Sequence, residues 1–331
     1  MAFRLSLECL HGPLMGISGI IDLVSSYIFQ FQGHPVRELS RTSDAGINCI
    51  TALSDGWAVG DSAGNVELYD SDCEHLLRTY THAQSVNTIA QFGNDNGFVC
   101  NSMFGVVFWR NQRSDHFMSH DSRCVFKLVS FPNGLVAACS KITSIVHVYR
   151  AKDEGASITL RCLHSLIGPH RVSDVVKCGD MLGSVHQANH LECHTVVWLW
   201  DARLGIHLHT IPLACAYVCD IVSPTDDTMV FIDTWFAVHV FNVDTKRYDQ
   251  YDDADLAYNT CVIPDGRFLT TSVEGDVFYS RTTDFEGGDT LEINLSEQHK
   301  LHLVPNKMSH LLYVPTGHIV ICREGKLLVW K

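Results

Sequence analysis

The sequence lacks several features that would assign it a chemistry at once. It holds 13 cysteines but no CxxC pair, so the common zinc ribbons and dithiol redox motifs are excluded. The cysteine number is odd, the spacings are scattered, and several lie inside apolar runs, such as Cys49 in INCITAL and Cys139 in LVAACS. A free buried cysteine behaves as a small hydrophobe. The pattern therefore points to a reducing, cytoplasmic setting without a disulfide framework. No run of 18 or more apolar residues occurs, which excludes a transmembrane helix. The first residues are thin in basic charge and carry no small-residue cleavage site, against a signal peptide. GxSxG, Walker and HExxH patterns are missing as well, so no nucleophile elbow, phosphate loop or zinc helix is assigned.

Basic charge is scarce. Lys and Arg number 24 against 37 Asp and Glu, for a net charge of -13. A grip on nucleic-acid phosphates needs a basic surface, so no direct nucleic-acid partner is expected. An acidic surface favours basic partners instead. A helical hydrophobic period is missing too after Gly33.

What is present is a repeat. The segment TVVWLWD ends at Asp201, and similar strand-like segments end at Asp70, Arg110, Arg150, Asn242, Arg281 and Lys331. Successive ends lie 39 to 51 residues apart. A period near forty with an aromatic-bearing strand is the mark of a propeller blade. Each period resolves into four short runs, as in His75–Tyr80, Val86–Phe92, Gly97–Ser102 and Val106–Arg110. Short β-branched runs at this spacing mean an all-β chain. The aromatics Tyr69, Trp109, Tyr149, Trp200, Phe241 and Trp330, with Asp201, are expected to be structural residues that pack blades together.

On these residues, the stretch from about Gln32 to Lys331 resembles the WD-repeat propeller family. Trp200-Asp201 is the one true WD dipeptide, and no Gly-His dipeptide precedes an innermost strand. His82, His120, His170 and His299 stand near that place without the glycine. The resemblance implies a seven-bladed β-propeller of four-stranded blades over residues 33–331. It also implies a ring closed by an N-terminal outer strand, Gly33–Leu39, because LLVWK leaves the last blade one strand short. Such a fold hosts many functions. The expected one is a non-catalytic scaffold that holds protein partners in an assembly.

Candidate sites are few. Residues 183–195, expected as an enlarged loop between second and third strands, carry His186, His190, Cys193 and His194. Imidazole and thiolate suit zinc, but the spacing matches no zinc module, so no metal or cofactor is assigned. His207 and His209 are expected on one face of an outer strand. The acidic stretch 248–258 is expected to connect an outer strand to the next inner strand. Its Tyr248, Tyr251, Asp252, Asp253, Asp255 and Tyr258 suit a Lys/Arg-rich peptide by charge pairing and cation–π contact. Asp226 and Asp227 are expected in a hairpin turn on the opposite face. The apolar extension, residues 1–32, is expected to pack on the ring or to dock a partner. Gly16–Phe29 has the spacing of a short amphipathic helix. An F-box-like adaptor segment would have this placement, which makes a ubiquitin-ligase substrate receptor, with its adaptor bound through residues 1–31, the alternative function. The leucine-proline start of that motif is missing. A channel-site enzyme or metal protein is a further alternative. Phosphoinositide-binding propellers use paired arginines, and no Arg-Arg occurs.

Overall fold

The computed structural model describes residues 37–82, 84–92, 97–102, 105–110, 113–118, 125–140, 142–154, 157–187, 195–213, 217–235, 237–252, 260–263, 267–271, 277–283, 292–293, 308–323 and 325–330. Among them there are strands and turns and no helix. The chain is an all-β β-propeller. Six four-stranded antiparallel sheets are each built from four consecutive strands and are numbered in chain order by their inner strands, Ile47–Leu53, Ile89–Phe92, Lys127–Ser130, Arg171–Cys178, Val218–Val222 and Thr260–Val262, and a seventh joins the two ends of the described chain. Sheet 4 is typical: inner strand Arg171–Cys178, second Met181–Gln187, third Thr195–Asp201, outer Ile206–Leu213. Its third strand is the TVVWLWD segment.

The seventh sheet pairs Arg37–Leu39 with Lys326–Trp330, beside His318–Arg323 and Met308–Val314. Leu39 stands opposite Leu327 and Glu38 opposite Leu328. The inner strands neighbour one another in sequence, and the last, Met308–Val314, returns to the first, Ile47–Leu53. Closure in this way leaves no pair of free sheet edges facing the gap.

The apolar core is not one central mass. It is a set of wedges between consecutive sheets. Tyr69 and Trp57 pack with Val320, Leu327 and Val329 of the seventh sheet. Trp200 packs with Val146 and Val148 of sheet 3, and Phe241 with Val197 and Leu199 of sheet 4. Trp330 packs with Ile263 and Leu269 of sheet 6. Thus these third-strand aromatics lean on the sheet before their own. Tyr149 follows the rule against Phe92 and Phe108, and Trp109 against Leu53 and Tyr80. Tyr69, Tyr149, Trp200, Phe241 and Trp330 are buried, while Trp109 is half-buried.

Being covered on both faces, second and third strands are apolar in continuous runs. Gly56–Asp61, Thr228–Asp233 and Ala237–Asn242 are buried throughout. Outer strands alternate with polar residues because one edge meets water. The aspartate of the WD slot has a local task. Asp201 Oδ1 accepts the N–H groups of Arg203 and Leu204, and Asp70 Oδ1 those of Glu74 and His75. Asn242 does the same for Thr245. Each caps the turn into the outer strand.

Two expectations on strand limits need correction. Residues 248–252 are not a connection: they belong to the outer strand Arg247–Asp252, where Tyr251 pairs with Val238 and Asp252 with Ala237. Loop-like acidity misled the reading, since an outer strand tolerates charge on its wet edge. Likewise His186 is not in a loop but inside the second strand Met181–Gln187. Residues 188–194 lie outside the described residues, as do Gly16–Phe29 and the rest of residues 1–36.

Candidate functional site

The inner strands enclose a central channel whose cavity is about 770 Å³. Four of these strands carry a β-bulge near the same end, at Asn48, Ser173, Cys219 and Ser309. A bulge re-aims the side chains beside it. The residues that follow, Cys49, Asp174, Asp220 and His310, all line the channel, together with Lys127. Lys127 Nζ lies 3.3 Å from Asp174 Oδ1 and 3.4 Å from Oδ2. Asp220 Oδ2 accepts from the Thr260 amide at 2.7 Å and its hydroxyl at 2.6 Å, which ties sheet 5 to sheet 6.

The electrostatics of this tier follow from one ammonium facing two carboxyls. The Asp174 carboxylate holds the Lys127 ammonium well above the usual lysine range, against the effect of burial. Burial pushes the Asp220 carboxyl up, although Lys127 and the Thr260 donors oppose it. Burial lowers His310 and pushes the Cys49 thiol up to about 12. A thiol so raised is a poor nucleophile. The tier can therefore hold a polar or cationic group, and none of its members is set up as a nucleophile. Among the described residues no group of three or more His, Cys, Asp or Glu is placed to hold a metal ion.

The face nearest this charged tier follows from strand alternation, since the bulges stand near the starts of the inner strands. Turns between second and third strands, and connections from outer to next inner strand, share one face. Three exposed large apolar side chains sit there: Ile142 in a turn of sheet 3, Ile167 at the end of its outer strand, and Trp235 in a turn of sheet 5. Trp235 is 61% exposed and Ile167 64%. Tyr251 and Asp252 end the outer strand that runs to this face. Asp253, Asp255 and Tyr258 lie outside the described residues. Asp226 and Asp227 lie in the turn at the other end of sheet 5, between its inner and second strands.

The remaining expected residues have structural surroundings. His186 is fully buried. Trp200 Nε1–H donates to Ser184 Oγ at 2.8 Å, and the Ser184 hydroxyl donates to His186 Nε2 at 2.8 Å. His186 Nδ1–H donates to the His170 carbonyl at 2.9 Å. The chain of donors runs one way, which fixes a neutral imidazole, and burial lowers His186 to about 4. A histidine thus completes a network with the strand tryptophan, but it comes from the second strand and not from His170. Gly168 is glycine because any Cβ there would strike the His186 ring. His190, Cys193 and His194 lie outside the described residues, so the proposed cluster is not brought together among the described residues.

Tyr248 is similarly occupied. Its hydroxyl donates to His239 Nδ1 at 2.6 Å, and His239 Nε2–H donates to Asp233 Oδ2 at 3.0 Å. The expectation for His207 and His209 also fails. A bulge at Leu208 makes His207 pair with Trp200 and His209 with Leu199, which are consecutive residues. The two imidazoles therefore face opposite sides of the sheet. His207 lies 4.4 Å from the Trp198 ring, and His209 stacks on Phe241 at 5.6 Å. They cannot chelate one ion.

Sequence reasoning missed Lys127, Asp174 and Asp220. A signal existed: VSDVV and VCDIV place an aspartate at the same position of two inner strands, inside apolar runs. It also missed Arg41, whose side chain is 6% exposed and pairs with Asp61 at 3.3 Å and Glu67 at 3.2 Å.

With this geometry in place, solved structures can be compared. The chain resembles the β-propeller domain of Cps50 (Swd1) from Myceliophteria thermophila, at TM-score 0.66 and 12% identity over 90% of this chain and 98% of that one. It resembles the WD40 β-propeller domain of Doa1 at 0.64 and 12%, over 92% and 97%. U3-55K is similar at 0.66 and 13%, over 89% and 98%. No family model and no curated protein matches the sequence. The chain has the β-propeller fold of WD40 domains. At such identities the likeness concerns the fold.

Proposed function

We propose that this protein is a non-catalytic interaction scaffold, a seven-bladed ring that holds a protein partner on the face nearest the charged tier of its channel. The observation that carries the reading is that Ile142, Ile167 and Trp235, all more than half exposed, share the face nearest the channel tier with its two carboxyls. Exposed apolar anchors beside a recessed polar pocket are what a protein interface uses. Asp174 and Asp220, with one lysine between them, favour a basic side chain from the partner entering the channel. The connection holding Asp253, Asp255 and Tyr258 would add acidic rim contacts, which speed association more than they tighten it.

The test is affinity purification of the tagged full-length protein from its own cells, followed by the Trp235→Ala, Ile167→Asp variant. A stoichiometric partner should co-purify and be lost with that variant while the variant keeps its melting temperature. A protein that purifies alone, or a partner retained by the variant, rejects this face as the docking surface. An adaptor of a ubiquitin ligase that survives the double substitution would instead support docking through residues 1–31.

A further inference from the structure

Two turns of the ring share one scaffold. In sheet 1 the turn from second to third strand begins at Asp61, whose Oδ1 accepts the Ala63 amide at 3.0 Å and the Asn65 amide at 2.8 Å. In sheet 5 it begins at Asp233, whose Oδ1 accepts the Trp235 amide at 2.8 Å and the Ala237 amide at 2.9 Å. The residue after each aspartate donates its amide to the carbonyl just before the same sheet's inner strand, Ser62 to Gly46 and Thr234 to Tyr217. The backbone thus closes alike with either residue two places after the aspartate. Sheet 1 places an exposed alanine there, Ala63. Sheet 5 places Trp235, 61% exposed. The hydrogen bonds of the turn do not require an indole, and an indole left in water gains by being covered.

The two turns differ in what stands behind the carboxylate. Asp61 Oδ2 meets the Arg41 guanidinium at 3.3 Å and the Asn65 side-chain amide at 2.9 Å. Asp233 Oδ2 instead accepts from His239 Nε2–H at 3.0 Å, and His239 Nδ1 accepts the Tyr248 hydroxyl at 2.6 Å. The Tyr248 bond fixes the tautomer that carries its proton on Nε2. His239 is fully buried and Asp233 is 1% exposed. A buried carboxylate is costly unless donors meet it, so the histidine fixes where this carboxylate sits. Its other oxygen then fixes the two amides of the turn. One line of contacts runs from the outer strand Arg247–Asp252, through the third strand Ala237–Asn242, to the backbone that carries Trp235.

We propose that Asp233, His239 and Tyr248 are positioning residues for Trp235, which hold its turn in one arrangement so that the indole meets an apolar pocket of the partner already ordered. The partner side of this role rests on the docking face proposed above, whereas the ordered turn is a property of the chain alone. An anchor ordered before contact loses less freedom on binding, and the gain falls mainly on the dissociation rate.

Hydrogen exchange on the full-length protein, resolved to the Trp235 and Ala237 amides, tests it in the wild type, His239→Leu, His239→Gln and Tyr248→Phe. A glutamine can still donate to Asp233 and accept from Tyr248. The two amides should exchange about tenfold faster in His239→Leu and stay within about twofold of wild type in His239→Gln. Tyr248→Phe, which keeps the ring and removes only the hydroxyl, should give a smaller rise, and it carries the test if His239→Leu does not fold. The Val243 amide, which donates to the Asp227 carbonyl at the other end of the sheet, should not change. Unchanged turn amides in both His239→Leu and Tyr248→Phe overturn the proposal, and so does an equal rise at Val243, which would be a general loosening. A co-purified partner held at full affinity by a variant with a loosened turn, but lost by Trp235→Ala, overturns the positioning role and leaves the docking face standing. A partner kept by Trp235→Ala rejects the docking face and the role of the turn with it.

Discussion

Sheets 1 and 4 solve the same problem with different chemistry. In each, polar side chains of the second and third strands are buried between sheets. Sheet 4 uses a neutral relay, Trp200 to Ser184 to His186 to the His170 carbonyl. Sheet 1 uses ions. Arg41 reaches Asp61 and Glu67 and donates to the Ala45 carbonyl at 2.7 Å, while Tyr69 donates to Glu67 at 3.0 Å. A neutral relay costs little to bury once every donor has an acceptor. An ion cluster is stable only while its charges balance. The ionic version stands where the ring closes, with Arg41 also donating toward the Gly325 carbonyl of the seventh sheet at 3.4 Å.

The largest effect should come from breaking the ionic version. Arg41→Met leaves two buried carboxylates without their cation and should cost about 3–5 kcal/mol. Urea unfolding measures it. A loss below about 1 kcal/mol would show that the hydrogen bonds to Asp61 and Glu67 hold sheet 1 without the arginine.

The two sheets should also answer differently to acid. His186 is lowered by burial to about 4 from 6.5, so between those values the unfolded chain binds a proton that the folded chain refuses. Stability from this group is complete above about pH 6.5 and is lost as pH falls toward 4, by roughly 3 kcal/mol. Asp61 behaves otherwise. Burial raises its carboxyl, but the Asn65 donors, Ser43 and Arg41 together hold it below its ordinary value. Its contribution is intact until pH falls below about 4. His186→Gln should flatten the slope of stability between pH 6.5 and 4 and leave the steeper acid loss in place. His310, also lowered by burial, keeps part of the slope. An unchanged slope in the variant would mean that sheet 4 does not sense pH through this ring.

Gly168→Ala comes next. The added Cβ meets the His186 ring, which is walled in, so overpacking should cost about 1–3 kcal/mol. A glycine-to-alanine change beside sheet 1's turn at Gly46, whose Cβ would sit 3.8 Å from Ser62 Oγ, should be nearly neutral. Equal effects at both positions would remove the distinction between a tightly built relay and a looser surround.

Period and strand pattern made the fold legible. Forty-residue spacing and aromatic strand ends located Leu76–Thr81, Gly97–Ser102 and Gly105–Arg110 to within one residue. Repetition carries that information, because each copy repeats the same burial problem. The site was far less legible. Lys127 and Asp174 meet across 47 residues, and no local pattern announces a contact made by two inner strands around a channel. His207 and His209 failed for a related reason, since one bulge reverses a face and leaves no mark in the alternation. Residues 248–252 were misplaced because charge alone does not separate an outer strand from a connection.

The smallest effect tests what closes the ring. Glu38 pairs with Lys326 at 2.9 Å across the terminal strands, with side chains 54% and 61% exposed. Solvent screens such a pair, and its contribution should stay below about 1 kcal/mol. The same short strand buries Leu39 against Leu327 and Val329, and full burial of a leucine is worth roughly 1.5–3 kcal/mol. Glu38→Gln should therefore barely move the urea midpoint, at low or high salt, while Leu39→Ala lowers it clearly. Were Glu38→Gln to match Leu39→Ala, the closing strand would be held by exposed charge. The buried Arg41 cluster beside it would then no longer account for why ions, and not a neutral relay, stand at the seam.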